Sequence, residues 1–256
     1  MISAGEGDKD DDPTNNEHNR TEMSKTLAQL IFRFKLDWKV LRAIMWTTGA
    51  VISGSAALAI LLRGEFVPQN LDICVTSDNV ALVLVYLQDQ GYKIQIPATS
   101  DPKPTYSKST ITLNLESGAG EKVNLIATTE SHVVHTISRF NTTCVMNFVS
   151  YYGVVCLYPE WTLRKASLVR VATEETDKQA IFKYRGRGFT MVEVAAELPD
   201  FEQNHWCDRH QHCPKTRREV HDHSTLCIPL EDETLSIQTE EKERVEWVFD
   251  ENYECA

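Results

Sequence analysis

VISGSAALAILLRGEFVPQNLDICV, residues 51–75, is the stretch whose reading decides the fold. Gly54 and Ser55 form a small-residue turn that opens an apolar helix from Ala56 to about Leu62. A loop through Phe66 and Pro68 follows, then a buried strand from Leu71 to Val75. Small residues at a helix start leave backbone N–H groups unpaired and pointing forward, an arrangement that favours phosphate. Side chains two apart on a strand share a face, so Asn70 and Asp72 point the same way. A phosphate cradle beside two polar side chains is the layout of a metal-dependent phosphoryl- or nucleotidyl-transfer site. The plainer alternative is that Gly-Ser merely starts a helix and Asp72 caps a neighbouring loop.

Outward from that stretch, helix and strand patterns alternate. Leu27, Leu30, Ile31 and Phe34 fall at helical spacing, and a second helix is expected over Trp38–Trp46. Asp78 to Gln90 carries the apolar stripe Val80, Val83, Leu84 and Leu87, with Gly91 as its stop. Tyr92–Ile96 alternates as a strand, and residues 97–105 are a Pro-rich loop. Thr110–Leu115 and Val123–Ile126 form a hairpin whose second arm carries Asn124 between apolar neighbours. Further on, Cys144–Phe148 reads as a short buried segment, Gly153–Leu157 as a strand, and Pro159 as the first turn of a helix. Thr143, Asn147 and Thr162 either line a pocket or bond to backbone in a packed region, the second being the expectation.

Gly54, Ser55 and the N-L-D-I-C-V strand resemble the signature of the nucleotidyltransferase superfamily, the polymerase-beta-like fold. There a Gly-Gly or Gly-Ser turn opens a helix and a strand with two acids follows. A third acid sits on a later strand, and together the acids hold two magnesium ions on nucleotide phosphates. The resemblance implies phosphate binding at Gly54 and Ser55, and makes Asp72 the second acid. Asn70 stands where the first acid belongs and Asn124 where the third does; Ser53 replaces an apolar residue, and the spacer before Asn70 is slightly long. Residues 140–163, FNTTCVMNFVSYYGVVCLYPEWTL, together with KVNLIAT before them, are similar to a run shared by uncharacterised fungal proteins assigned this fold. An asparagine offers a metal one neutral carbonyl oxygen in place of a carboxylate. The implied site is therefore degenerate, a pseudoenzyme that holds Mg2+ weakly, through Asp72, and still takes a nucleotide. An active transferase is the alternative.

The formal net charge of −11 is concentrated at the two ends. Residues 1–22 hold seven acids and two bases, residues 231–256 ten acids and two bases, and the body between them is +2. Residues 1–22 are expected to be a disordered acidic tail and 231–256 an acidic tail or peripheral element. Between them lie a nucleotidyltransferase-like domain over 23–170 and a helical, loop-rich region over 171–230. The acidic N-terminus has no apolar core of a signal peptide, and no apolar run is long enough to span a membrane. Seven scattered cysteines do not form a secreted disulfide framework, so an intracellular setting, cytoplasm or nucleus, is expected.

A helix is expected over about Glu175–Tyr184, with Lys178, Lys183, Arg185 and Arg187 in and after it. These bases read as a solvated helix face, with a triphosphate or nucleic-acid backbone as the alternative. Trp206 to Leu230 concentrates Cys207, His210, His212, Cys213, His221, His223 and Cys227. Zinc takes four such ligands, and Cys207, Cys213, His221 and Cys227 are one candidate set, although the spacing fits no familiar finger. A zinc-stabilised binding or scaffold protein is thus a third reading. The expected architecture is α/β (α+β): a small mixed sheet flanked by helices, with a loop-rich C-terminal part.

Overall fold

The computed structural model describes residues 17–96, 109–170, 175–199, 201–202, 205–207, 210, 213–230, 245–251 and 253. The expected tail over 1–16, the Pro-rich loop, His212 and residues 231–244 lie outside the described residues.

Helix α1 (Glu17–Arg33) buries Met23, Leu27 and Ile31, the spacing read from the sequence. It begins at Glu17, so residues 17–22, expected to be disordered, are helical. Once the buried turns have paid the nucleation cost, each added residue gains a hydrogen bond. Glu22 also faces Arg63 at 3.5 Å. Helix α2 (Trp38–Thr48) is capped by Asp37, whose carboxylate accepts from the Lys39 and Val40 N–H groups at 2.7 and 3.1 Å.

Strand β1 (Val51–Ser53) leads directly into α3 (Gly54–Leu61), which is buried along its whole length. Strand β2 (Asn70–Thr76) follows, then a 3-10 turn and α4 (Val80–Asp89). The next strand, β3 (Lys93–Ile94), is shorter than the alternation at Tyr92–Ile96 suggested. Tyr92 leaves the strand for the core, where its hydroxyl donates to the Phe34 carbonyl at 2.6 Å. Strands β4 (Thr110–Glu116) and β5 (Lys122–Thr128) make the expected hairpin, although Ile111 is exposed. After the short helix α5 (Val133–Ile137) come β6 (Asn147–Val149), β7 (Gly153–Cys156) and α6 (Pro159–Leu163). The remaining elements are β8 (Ala166–Leu168), α7 (Glu175–Arg185), β9 (Thr190–Val192), β10 (Arg218–Glu219), β11 (Leu226–Pro229) and β12 (Glu246–Trp247).

Eight strands form one mixed sheet in the order β11-β7-β6-β1-β2-β5-β4-β3, larger than the small sheet expected. Its pairs are antiparallel except for β2 with β5. The extra edge comes from the C-terminal region, since β11 pairs with β7. That pairing is close: a Cβ on Gly153 would lie 2.7 Å from the Ile228 carbonyl oxygen, so the position excludes a side chain. Two smaller pairs, β8 with β9 and β10 with β12, complete the strands.

The sheet separates two cores. Leu71, Ile73 and Val75 of β2 and Val123 and Leu125 of β5 pack with Leu27, Leu41 and Val83. Cys74 and Ile126 face the other way, towards Val134, Trp161, Leu168, Val192 and Trp247. By the period of two, Asn70, Asp72 and Asn124 stand on this second face. The expected acidic end contributes to that core, because Val245, Trp247 and Phe249 are buried in it. Arg218 ties the region down, donating to both Asp222 carboxylate oxygens at 2.5 and 2.9 Å and to the Leu157 carbonyl at 3.2 Å.

Candidate functional site

The parallel pairing of β2 and β5 sets Asp72 directly opposite Asn124, and the antiparallel pairing of β1 and β2 sets it opposite Ser53. Asp72 is only 7 % exposed. Its Oδ1 accepts the side-chain amides of Asn70 at 2.7 Å and Asn124 at 2.8 Å. The carboxylate dictates which end of each amide faces it, since an amide oxygen there would be repelled. Its Oδ2 turns towards the helix start: a Cβ on Gly54 would lie 2.5 Å from it, and Gly54 has φ +61°. Glycine is thus required at 54 twice over, by the backbone conformation and by the carboxylate.

Burial pushes the Asp72 carboxyl up to about 6, against the opposing pull of the Asn124 amide, the Lys183 ammonium and the Asn70 amide. Lys183 stands near enough to feel the charges of both Arg187 and Asp72. Lys183 lies in the last turn of α7 and Arg187 in the turn that follows the helix, close enough for the two charges to act on each other. The Arg187 guanidinium lies 3.7 Å from the Phe66 ring centroid and 5.2 Å from that of Tyr184. These two bases were expected on a solvated face; Lys183 is exposed, yet its ammonium acts on Asp72, and Arg187 acts in turn on Lys183. The α7–β9 connection sets Arg187 against Phe66, in the loop after α3, a tertiary contact that local sequence does not announce.

Two polar groups here have no internal partner, and a third does not cap the helix. Ser53, at the N-cap of α3, makes no capping bond and instead contacts the Cys74 thiol at 3.2 Å. The Ser55 hydroxyl and Arg187 Nη1 are buried with no hydrogen-bond partner. The start of α3 therefore combines uncapped N–H groups, an unpartnered hydroxyl and nearby cations, a set that suits an anion.

The same geometry suits a divalent cation poorly. Magnesium sites use one or more carboxylates together with substrate phosphates. Here a single carboxylate contributes, with Oδ1 already taken by two N–H donors and Oδ2 against Gly54. Glu65 does not supply a second acid, being paired with Lys165 at 2.5 Å.

Thr143, Asn147 and Thr162 are fully buried. Asn147 donates to the Cys144 carbonyl at 2.7 Å, and the Thr143 hydroxyl accepts from the Leu168 N–H at 3.0 Å. Of the cysteine and histidine candidates, Cys207 and Cys213 come together with His205, which the sequence reading did not include. Cys227 sits in β11 opposite Val155, and His221 lies in the turn before Asp222; neither joins that group.

No protein-family model and no curated protein matches the chain. Among solved structures it is similar to a CCA-adding enzyme in apo form I, at 13 % identity and TM-score 0.43 over 66 % of this chain and 43 % of that one. A CCA-adding enzyme in complex with CTP gives 13 % and 0.42 over 65 % and 42 %. The Thermotoga maritima CCA-adding enzyme complexed with tRNA gives 13 % and 0.41 over 68 % and 43 %. The chain spans less than half the length of these solved chains.

Proposed function

We propose that this chain is a nucleotidyltransferase-fold protein that binds nucleotide phosphates beside Gly54 and Ser55 without transferring them. The observation that carries the reading is the pair of amides on Asp72 Oδ1. Three carboxylates in contact repel one another until metal ions neutralise them. One carboxylate flanked by two amide donors is satisfied without metal, which removes both the magnesium cluster and a reason to bind it. What remains is the anion-receiving side: Ser55, the uncapped start of α3, Lys183 and Arg187. The 140–163 run reaches these bases through the buried Cys144, which feels the Arg187 and Lys183 charges. The cysteine usage supports an intracellular setting.

A thermal-shift series with ATP, CTP, GTP and UTP, with and without Mg2+, tests this directly. Ligand that binds only the native state stabilises it, by about 2.7 kcal/mol at a hundred times Kd. A rise in Tm that needs no Mg2+ and is lost in Lys183→Gln is expected. The absence of any shift with all four nucleotides sinks the reading.

A second reading, an active transferase, is favoured by the Asp72 carboxyl at about 6, a value suited to a general base near neutral pH. It requires transfer of label from a nucleotide to a small-molecule, RNA or protein acceptor, abolished in Asp72→Asn.

A further inference from the structure

We propose that His205, Cys207 and Cys213, with His210 as fourth ligand, form a structural zinc site. It is independent of the Asp72 site. The thiol sulfurs of Cys207 and Cys213 and a ring nitrogen of His205 all lie within 4.8 Å of one another. A tetrahedral zinc with Zn–S near 2.3 Å and Zn–N near 2.0 Å needs ligand atoms about 3.3–3.8 Å apart, a small closure from that spacing.

His205 is held as a ligand would be. Its Nδ1 bonds to the Glu202 carbonyl, which puts the proton on Nδ1 and leaves a lone pair on Nε2. Nε2 is buried and has no hydrogen-bond partner. Metal-binding histidines use their second nitrogen in this way to fix ring orientation. His210 is not one of the three residues whose ligand atoms already converge; its ring centroid is 4.4 Å from that of His205, both rings pack edge-on against Phe201, and it is the histidine placed to complete the set.

The backbone brings these residues together before any metal arrives. His210 N–H donates to the Trp206 carbonyl at 3.0 Å and Cys213 N–H to the His210 carbonyl at 2.9 Å. The Thr216 hydroxyl reaches both the Cys207 and the His210 carbonyls. In sequence the ligands run His-x-Cys-x2-His-x2-Cys, and these two turns cross the second and third steps. Two thiolates and two imidazoles select zinc among common cellular metals. Among the described residues, 205–217 contain no helix or strand, so the ion would supply the cross-link that a core otherwise provides.

The test is metal content of the full chain, expressed with zinc in the medium and purified under reducing conditions without chelator. About one zinc per chain is expected, falling to below about a tenth in Cys207→Ser and Cys213→Ser and strongly reduced in His205→Ala. His221→Ala and Cys227→Ser should retain it. Because a serine variant can fail to fold, wild-type protein is also loaded with Co2+, for which a tetrahedral ligand-field spectrum with thiolate charge transfer is expected. Three results overturn the proposal. They are no zinc and no cobalt spectrum in reduced wild type, zinc retained in the Cys207→Ser/Cys213→Ser double variant, or a Cys207–Cys213 disulfide whose reduction brings no metal uptake.

Discussion

The side-chain amide of Asn124 donates to Oδ1 of Asp72 at 2.8 Å across the parallel pair β2·β5. Two strands distant in sequence thus place a neutral donor against a buried acid, on the face where Lys183 also acts on it. That relationship decides which partners the carboxylate can accept.

Replacing the donor by a second acid reverses the balance. Asn124→Asp removes a hydrogen bond and sets two carboxylates together, which should lower stability by about 2–3 kcal/mol at neutral pH. Magnesium or manganese should restore much of that loss in the variant and leave wild type unchanged. Urea denaturation with and without the cation measures both, and an equal metal response in the two proteins would count against the geometry.

Gly54→Ala combines a left-handed backbone, φ +61°, with a Cβ 2.5 Å from Asp72 Oδ2. The backbone term alone costs about 1 kcal/mol, and with the clash the loss should reach about 2–4 kcal/mol. Adding Asp72→Ala removes the clash but not the strain, so the double-mutant cycle should show coupling of about 1–2 kcal/mol. Strict additivity would place the carboxylate elsewhere.

The Asp72 carboxyl, raised to about 6 by burial, also makes a signed pH prediction. Below its unfolded value of 3.8 it is protonated in both states; above 6 it is ionised in both. Between them the native state binds more protons, so its contribution to stability falls as pH rises from about 4 to 6, by about 2–3 kcal/mol. Other carboxylates, such as Asp222, are shifted downward and act in the opposite direction. The difference between wild type and Asp72→Asn therefore isolates the effect: the variant should gain on wild type as pH rises through this window. A difference that stays flat from pH 4 to 7 disproves the shift.

Trp247 and Phe249 lie in a stretch whose composition is that of an acidic tail, yet both are buried. Trp247 Nε1 donates to the Tyr158 hydroxyl at 3.3 Å, and Phe249 lies 4.3 Å from the Arg170 guanidinium. Truncating either to alanine should cost about 3–5 kcal/mol in chemical denaturation. A loss below about 0.5 kcal/mol, the range for surface positions, would return the segment to a tail.

The periodicity of the chain by itself determined α1, α2, α4, the β4–β5 hairpin and the strand carrying Asp72. Each is a local pattern of apolar spacing, which is what a helix or strand needs to bury one face. Strand alternation also put Asn70 and Asp72 on one face, behind the Gly54 turn, while Asn124 was joined to them only by the resemblance of the motif. What only the tertiary structure decided is the company they keep. The register of β2 on β5 brought Asn124 onto the oxygen that Asn70, two residues away on the same strand, already donates to, and α7 brought Lys183 within reach of Asp72 although aromatic residues flank it in sequence. Trp247 and His205 were equally hidden. Burial and the surroundings of a side chain are set by segments far away along the chain, and no local window of sequence contains them.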